Sequence, residues 1–428
     1  MITKTNGTTT STTKPTSVRK VGLSLMFLMT FICLIDRANY GVSTSSIMKD
    51  LNLSIVEMGM ATTAFSLAYA VLQIPGSLMV RRFGTRVVIA GSVALWSIFT
   101  LATGFSVGFF SLVVARIFFG FAEAPVFPAT NKYNLHWFPL KDRAFANSIP
   151  NAGSWLALIV APPLMVWLLE LFGWRWVFYI CAIAGLIGAG LWYWFTRDIP
   201  EEHPGVNEAE LNYIYSDQEV VIPKKVGKIP WGTFFKSRSF WCIGMTYFCS
   251  VYMLQYFVYW LPFYLQTQLN MSIKTMGYAA SVPWMFIFAA GLSVGRISDW
   301  LVRNNYSLFV ARNGLILLGF AASAIAMYVS TFFTDPWAVV LLLSVALGFI
   351  GFNMTIPWAI STDIGREYTG VISSWMNNWG QVGAAIMATL SAYVGANYGW
   401  NSTIITLVIV ACIGIMATLG IRPEKKLV

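Results

Sequence analysis

Twelve apolar stretches constrain this chain more than anything else in it. They lie at about 21–42, 58–79, 88–104, 109–134, 144–169, 176–196, 239–266, 277–296, 309–331, 336–358, 369–396 and 401–421. A helix rises about 1.5 Å per residue and the hydrocarbon core of a bilayer is about 30 Å thick, so about 20 apolar residues cross it. In hydrocarbon each backbone N–H and C=O must be bonded internally, which makes such runs helices. Only 11% of the residues are charged, against about 25% in a typical soluble domain. The expected fold is an all-α membrane protein with twelve transmembrane helices. The first run is too long for a signal peptide, contains Asp36-Arg37 and lacks a small-residue cleavage site. It is expected to stay as the first span.

Charge placement orients the spans. If both termini are cytoplasmic, the inner segments hold Lys4, Lys14, Arg19, Lys20, Arg81, Arg82, Arg86, Lys141 and Arg143 in the first half of the chain. Outer loops hold only Lys49, Arg175 and Lys274. This is the positive-inside asymmetry, and it accounts for the net charge of +10. Nucleic-acid binding is excluded as a reading, because no basic amphipathic stretch or reader motif accompanies the charge. The expected location is the plasma membrane, the inner membrane in a bacterium. The five cysteines lie in or beside apolar runs without paired spacing, and His136 and His203 sit in separate loops. Neither a disulfide, a metal site nor a cofactor is expected.

The longest internal polar stretch, 197–238, mixes acids, lysines and four prolines. It reads as a cytoplasmic linker with a short amphipathic helix near Glu208–Tyr215. It divides a first six-span bundle (21–196) from a second (239–421), with a disordered tail at 1–20 and a short tail at 422–428. The halves are weakly repeated: Asn151-Ala-Gly153-Ser154 in the fifth span parallels Asn378-Trp-Gly380-Gln381 in the eleventh. Parallel six-span halves with a site between them at mid-membrane are one way transporters are built.

Two charged pairs stand within the apolar runs: Asp36 and Arg37 in the first, Arg116 and Glu123 in the fourth. A charge at the bilayer centre costs about 2.5–3.5 kcal/mol on insertion scales. Such residues usually face a partner or a water-filled cavity. Arg116 and Glu123 are two helical turns apart and share a face. Counting rise from the span ends puts Asp36, Arg37 and Arg116 at similar depth, with Glu123 about 10 Å nearer the cytoplasm. The eleventh span is unusually polar: Ser373, Ser374, Asn377, Asn378 and Gln381. Such groups face a cavity or glue helices together; neutral donor–acceptor groups also suit sugar hydroxyls.

In order along the chain stand Asp36-Arg37-Ala38-Asn39, Tyr69, Gln73-Ile74-Pro75-Gly76, Arg116, Gly120, Glu123-Ala124-Pro125, Trp137-Phe138-Pro139, Asp142-Arg143, His203-Pro204-Gly205-Val206-Asn207, Trp260, Pro262, Gly295 and Asp299. Taken together these resemble the major facilitator superfamily over about 21–421. More narrowly they resemble its anion:cation symporters, and among those the bacterial sugar-acid carriers. There are departures. Ser77 and Arg81 stand where the family's inner loop has glycine and aspartate, while Arg82 and Gly84 keep the rest of that pattern. Ser154 and Tyr247 stand where galactonate carriers have glutamines. Asn151-x-Gly153-Ser154 followed by Ala161-Pro162-Pro163-Leu164 looks more like hexuronate carriers.

The resemblance implies proton-coupled symport of a small organic anion, a hexuronate, hexonate or aldarate, by alternating access. Arg37 is expected to bind the substrate carboxylate, since its planar fork pairs with carboxylates and stays charged. Asp36 and Glu123 are expected to carry protons, with Arg116 tuning Glu123 or the substrate site. A static ion-pair lattice between the first and fourth spans is the competing reading. By resemblance, Tyr69, Asn151, Ser154, Tyr247, Thr355, Trp358, Asn377 and Gln381 are substrate-binding candidates. Arg82, Gly84, Arg86 and Asp299 are expected to gate the inner side. The partners are then substrate, proton and lipid, and one chain is expected to act as a monomer. Exchange or export of an organic anion, or a non-transporting receptor on the same fold, are the alternatives. No nucleophile–base pair or phosphate loop points to an enzyme.

Overall fold

A computed structural model describes residues 14–216, 230–365 and 368–427. The start of the N-terminal tail, Lys224, Lys225, Lys228 and Arg366 lie outside them. Among the described residues there is no strand. In the first half run α1 (Val18–Leu51), α2 (Ile55–Gly104), α3 (Phe109–Glu123), α4 (Val126–Trp137), α5 (Leu140–Phe172) and α6 (Trp174–Phe195). The linker carries two short helices, α7 (Glu208–Ile214) and α8 (Trp231–Lys236). In the second half run α9 (Arg238–Tyr259), α10 (Leu261–Thr267), α11 (Ile273–Arg303), α12 (Leu315–Ser330), α13 (Pro336–Gly365), α14 (Thr369–Tyr398) and α15 (Trp400–Leu419).

The ninth span opens with a π-helical turn, Phe309–Gly314, ahead of α12; at three further places helix labels and spans differ, each with a local cause. Helix α2 holds the second and third spans, broken at Gly84, whose φ of 81° and ψ of 170° suit only glycine. The fourth span is α3 plus α4, interrupted at Pro125, which has no N–H to donate. The seventh is α9 plus α10, interrupted ahead of Pro262. Among the described residues ten helical stretches are long and apolar enough to cross a membrane. The polar α14 and the aromatic-rich α9–α10 complete the twelve, and α9 and α14 pack on each other.

In the first half α1 packs on α5 and α6, and α2 on α3 and α6; in the second, α11 and α12 pack on α13, and α9 on α14 and α15. Between the halves α2 meets α14 and α5 meets α11. A six-span repeat carries the second span onto the eighth and the fifth onto the eleventh. These two cross-half contacts are therefore one contact repeated by an internal twofold, and α1 also meets α9 and α10 across the halves.

At the end opposite the termini the halves touch directly. Ser45 donates to Gln266 Oε1 at 2.6 Å, and Thr63 donates to the Ala385 carbonyl at 2.6 Å. Gly59 packs so closely that a Cβ there would lie 2.7 Å from the Ala388 carbonyl oxygen. At the end bearing the termini, α7 clamps the start of α1. Glu210 is fully buried and accepts from the Val18 and Arg19 backbone N–H groups, from Arg19 Nη1 at 2.9 Å, and from the Thr16 hydroxyl. A carboxylate at a helix N-terminus satisfies donors that have no partner inside the helix. Tyr213 donates to Asp142 at 2.8 Å and lies under the Arg19 guanidinium.

Candidate functional site

The charged residues of the first and fourth spans come together inside the first half. Helix α1 presents Cys33 and Arg37, four apart and so on one face. Helix α3 ends on Glu123, at the break before Pro125. Arg37 Nε donates to Glu123 Oε1 at 2.7 Å and Nη2 lies 2.6 Å from the same oxygen. Cys33 Sγ donates to that oxygen as well, at 2.7 Å. Glu123 is 0% exposed, and its second oxygen, Oε2, has no partner. The Arg37 guanidinium lies 5.2 Å from the ring centres of Phe65 and Tyr69.

Asp36 and Arg116 are each 1% exposed. Both Asp36 oxygens lack a hydrogen-bond partner, as do Arg116 Nε and Nη2. Asp36 lies beside Trp96 and Thr100 of α2 and Cys181 of α6, within electrostatic reach of Glu123 and Arg116. The Arg116 guanidinium instead rests on aromatic faces, 4.5 Å from Tyr40 and 4.8 Å from Phe65 and Phe119. Ring faces carry negative charge and attract a cation. Tyr259, arriving from α9 in the other half, is within reach of Arg37 and Arg116, and its hydroxyl is also without a partner.

Buried polar atoms are normally bonded, so this concentration of unbonded ones marks the cluster as a candidate site. A static lattice would pair Asp36 with an arginine. The partner of Glu123 is Arg37 on another helix, not Arg116 on its own. Two arginines and two carboxylates balance when both acids are ionised, and protonating either leaves a cationic site.

Among the described residues the second half buries no charged side chain. Tyr247 and Trp358 form a pair there, with Trp358 Nε1 donating to the Tyr247 hydroxyl at 3.2 Å. Tyr247 is buried, whereas Trp358 is 42% exposed. Gln381 is buried and Asn377 half-buried on α14, and Thr355 on α13 donates to its own helix at Gly351. Asn151 and Ser154 likewise donate to carbonyls of α5 itself, and Asn151 is exposed. The structure thus joins Tyr69 to the charged cluster and Tyr247 to Trp358. It does not bond Asn151, Ser154, Thr355, Asn377 or Gln381 to either group.

The inner-side residues divide by half. Arg82 is exposed and stacks on Phe83. Arg86 donates to the Tyr193 carbonyl at 2.8 Å, and its backbone N–H and the Thr85 hydroxyl both reach Asp198 Oδ1 at 2.9 Å. Asp198, which follows the sixth span, thus caps the third. It fills the space where a side chain at 84 would be. In the second half Arg312 holds Asp363 at 2.9 Å and Ser298 at 2.6 Å, with Asp299 at 3.8 Å. Asp299 is mostly exposed, so Asp363 is the stronger partner.

Sequence reading missed Cys33, Tyr40, Asp198 and Asp363. Cys33 carried a usable signal, one turn before Arg37 on the same face; the others are set by packing between distant spans. Among the described residues no group of three His, Cys, Asp or Glu is placed to hold a metal.

The model of the Major Facilitator Superfamily matches residues 26–388. A probable galactarate/D-glucarate transporter of Bacillus subtilis (strain 168) is 32% identical over 97% of this chain and 94% of its own length. A D-galactonate transporter of Escherichia coli O6:H1 (strain CFT073) is 29% identical over 96% of this chain and 97% of its own. The solved structure of a bacterial homolog to the human lysosomal transporter Spinster, inward-facing and occupied, superposes with a TM-score of 0.75. It covers 94% of this chain and 97% of that one at 16% identity, a likeness of fold.

Proposed function

This chain belongs to the Major Facilitator Superfamily, and on that premise we propose that it carries a sugar acid across the membrane together with a proton. The substrate class is a hexuronate, hexonate or aldarate, in keeping with relatives named as galactarate/D-glucarate and galactonate transporters. The chain works as a monomer in the plasma membrane with both termini cytoplasmic, in keeping with its lysine and arginine asymmetry.

The observation that carries this reading is the bond from Arg37 to Glu123 Oε1 while Oε2 stays unbonded. A substrate carboxylate and the Glu123 carboxylate compete for one guanidinium fork. Two anions held side by side in a low-dielectric site repel strongly, so both cannot stay ionised there. Glu123 therefore takes a proton on Oε2 as the substrate takes Arg37. One anion and one proton arrive together, and the buried charge is unchanged. When the site faces the other side, substrate departure returns Arg37 to Glu123 and the proton leaves. Asp36, without a hydrogen-bond partner and within electrostatic reach of Glu123 and Arg116, serves as a second proton carrier. Tyr69, Tyr247, Trp358, Asn377 and Gln381 read the hydroxyls, because neutral donor–acceptor groups discriminate hydroxyl patterns without adding charge. Arg82, Gly84, Arg86 and Asp299 act at the inner gate.

The test is uptake into vesicles after a pH jump. Asp36→Asn and Glu123→Gln abolish proton-driven accumulation while counterflow exchange partly survives. If both variants still concentrate substrate, the coupling assignment fails.

A further inference from the structure

We infer that Cys33 is a positioning residue for the proton-carrying carboxyl, one that holds Glu123 in place while Arg37 is occupied by substrate. This rests on the proton-coupled reading above and adds to it a residue with a defined task. The thiol donates to Glu123 Oε1, the same oxygen that Arg37 Nε and Nη2 hold, and Oε2 is left without a partner. Cys33 is buried on the face of α1 that carries Arg37, one turn away.

The need for such a residue follows from the exchange itself. In the substrate-free site three donors converge on Oε1. When the substrate carboxylate takes the guanidinium, two of them leave. A buried carboxyl with no remaining donor is free to rotate, and either oxygen can then receive the proton. Cys33 stays on α1 throughout. Its S–H donates to Oε1 both when Glu123 is a carboxylate and when Oε1 is the carbonyl oxygen of the protonated acid. The proton is thereby directed to Oε2. Donation to the charged form is the stronger of the two, so the thiol also favours release of the proton.

The other groups facing Glu123 do not duplicate this. Arg37 is the group that leaves. Asp36, on the same helix, is an acid and repels the carboxylate. Arg116, on the same span as Glu123, is engaged with the faces of Tyr40, Phe65 and Phe119. Tyr69 from α2 and Tyr259 from α9 are within electrostatic reach, but no hydrogen bond joins either hydroxyl to Glu123.

The experiment measures uptake of galactarate, galactonate and glucuronate into proteoliposomes as a function of external pH, using whichever of the three wild type accumulates. Wild type is compared with Cys33→Ala, Cys33→Val and Cys33→Ser. Loss of the donor moves the pH midpoint of proton-driven uptake upward by roughly half a unit to one unit. Cys33→Ser, which keeps a donor at the same place, stays near or below the wild-type midpoint. Val fills the thiol's volume, so agreement of the Ala and Val profiles separates lost donation from a cavity. Ala and Val profiles that overlay wild type overturn the inference while wild-type uptake remains proton-driven. A wild type that accumulates substrate without a proton gradient overturns the coupled reading instead, and with it this one.

Discussion

In the proposed exchange Arg37 holds an acid of the protein and releases it to an acid of the substrate. Its fork geometry suits both partners, and lysine shares only the charge. Arg37→Lys should therefore keep most of the thermal stability but lower the apparent affinity for substrate by about tenfold or more, read as the half-saturation concentration of uptake. Arg37→Ala leaves buried Glu123 without its counter-charge, a change that costs about 3–5 kcal/mol in buried pairs and is read as a lower unfolding temperature in detergent. At this scale the sequence was half legible. Four charges inside apolar runs identify themselves, because charges that deep are rarely idle. Their pairing does not, because it depends on how each helix is rotated about its axis. Helical spacing put Arg116 and Glu123 on one face, yet the donors to Glu123 come from α1.

At the scale of elements, the linker is tied to the first half. His203 packs between the rings of Trp137 and Phe195, and its Nδ1 accepts the Gly205 N–H at 3.0 Å. Burial pushes this imidazole below its ordinary value of 6.5. A base held neutral in the folded state contributes stability that is present above the unfolded value and is lost as pH falls below it. The unfolding temperature should decline as pH drops from about 7 to 5, and His203→Gln should flatten part of that decline, measured by fluorimetry in detergent. The short helix of the linker was readable from its amphipathic pattern. The Asp198 cap was not, since it acts on Thr85 from 113 residues away. The break at Gly84 was visible only as a motif glycine; its φ of 81° supplies the physical reason.

The whole molecule combines a symmetric frame with an asymmetric lining. The frame repeats, as the paired contacts of α2 with α14 and α5 with α11 show, and twelve spans were legible because run length is a local property. The lining does not repeat: the buried charges stand in the first half and the second offers neutral groups around Tyr247 and Trp358. On the proposed reading, the first half would exchange the proton and hold the substrate carboxylate while the second contacts the rest of the cargo, and both would close on the same substrate. The direct check is proton movement driven by substrate alone. In proteoliposomes with a pH dye inside and no imposed proton gradient, an inward gradient of a sugar acid that the protein carries should acidify the lumen in wild type, and Glu123→Gln should abolish the signal. Substrate flowing inward through wild type with the luminal pH unchanged would contradict the account.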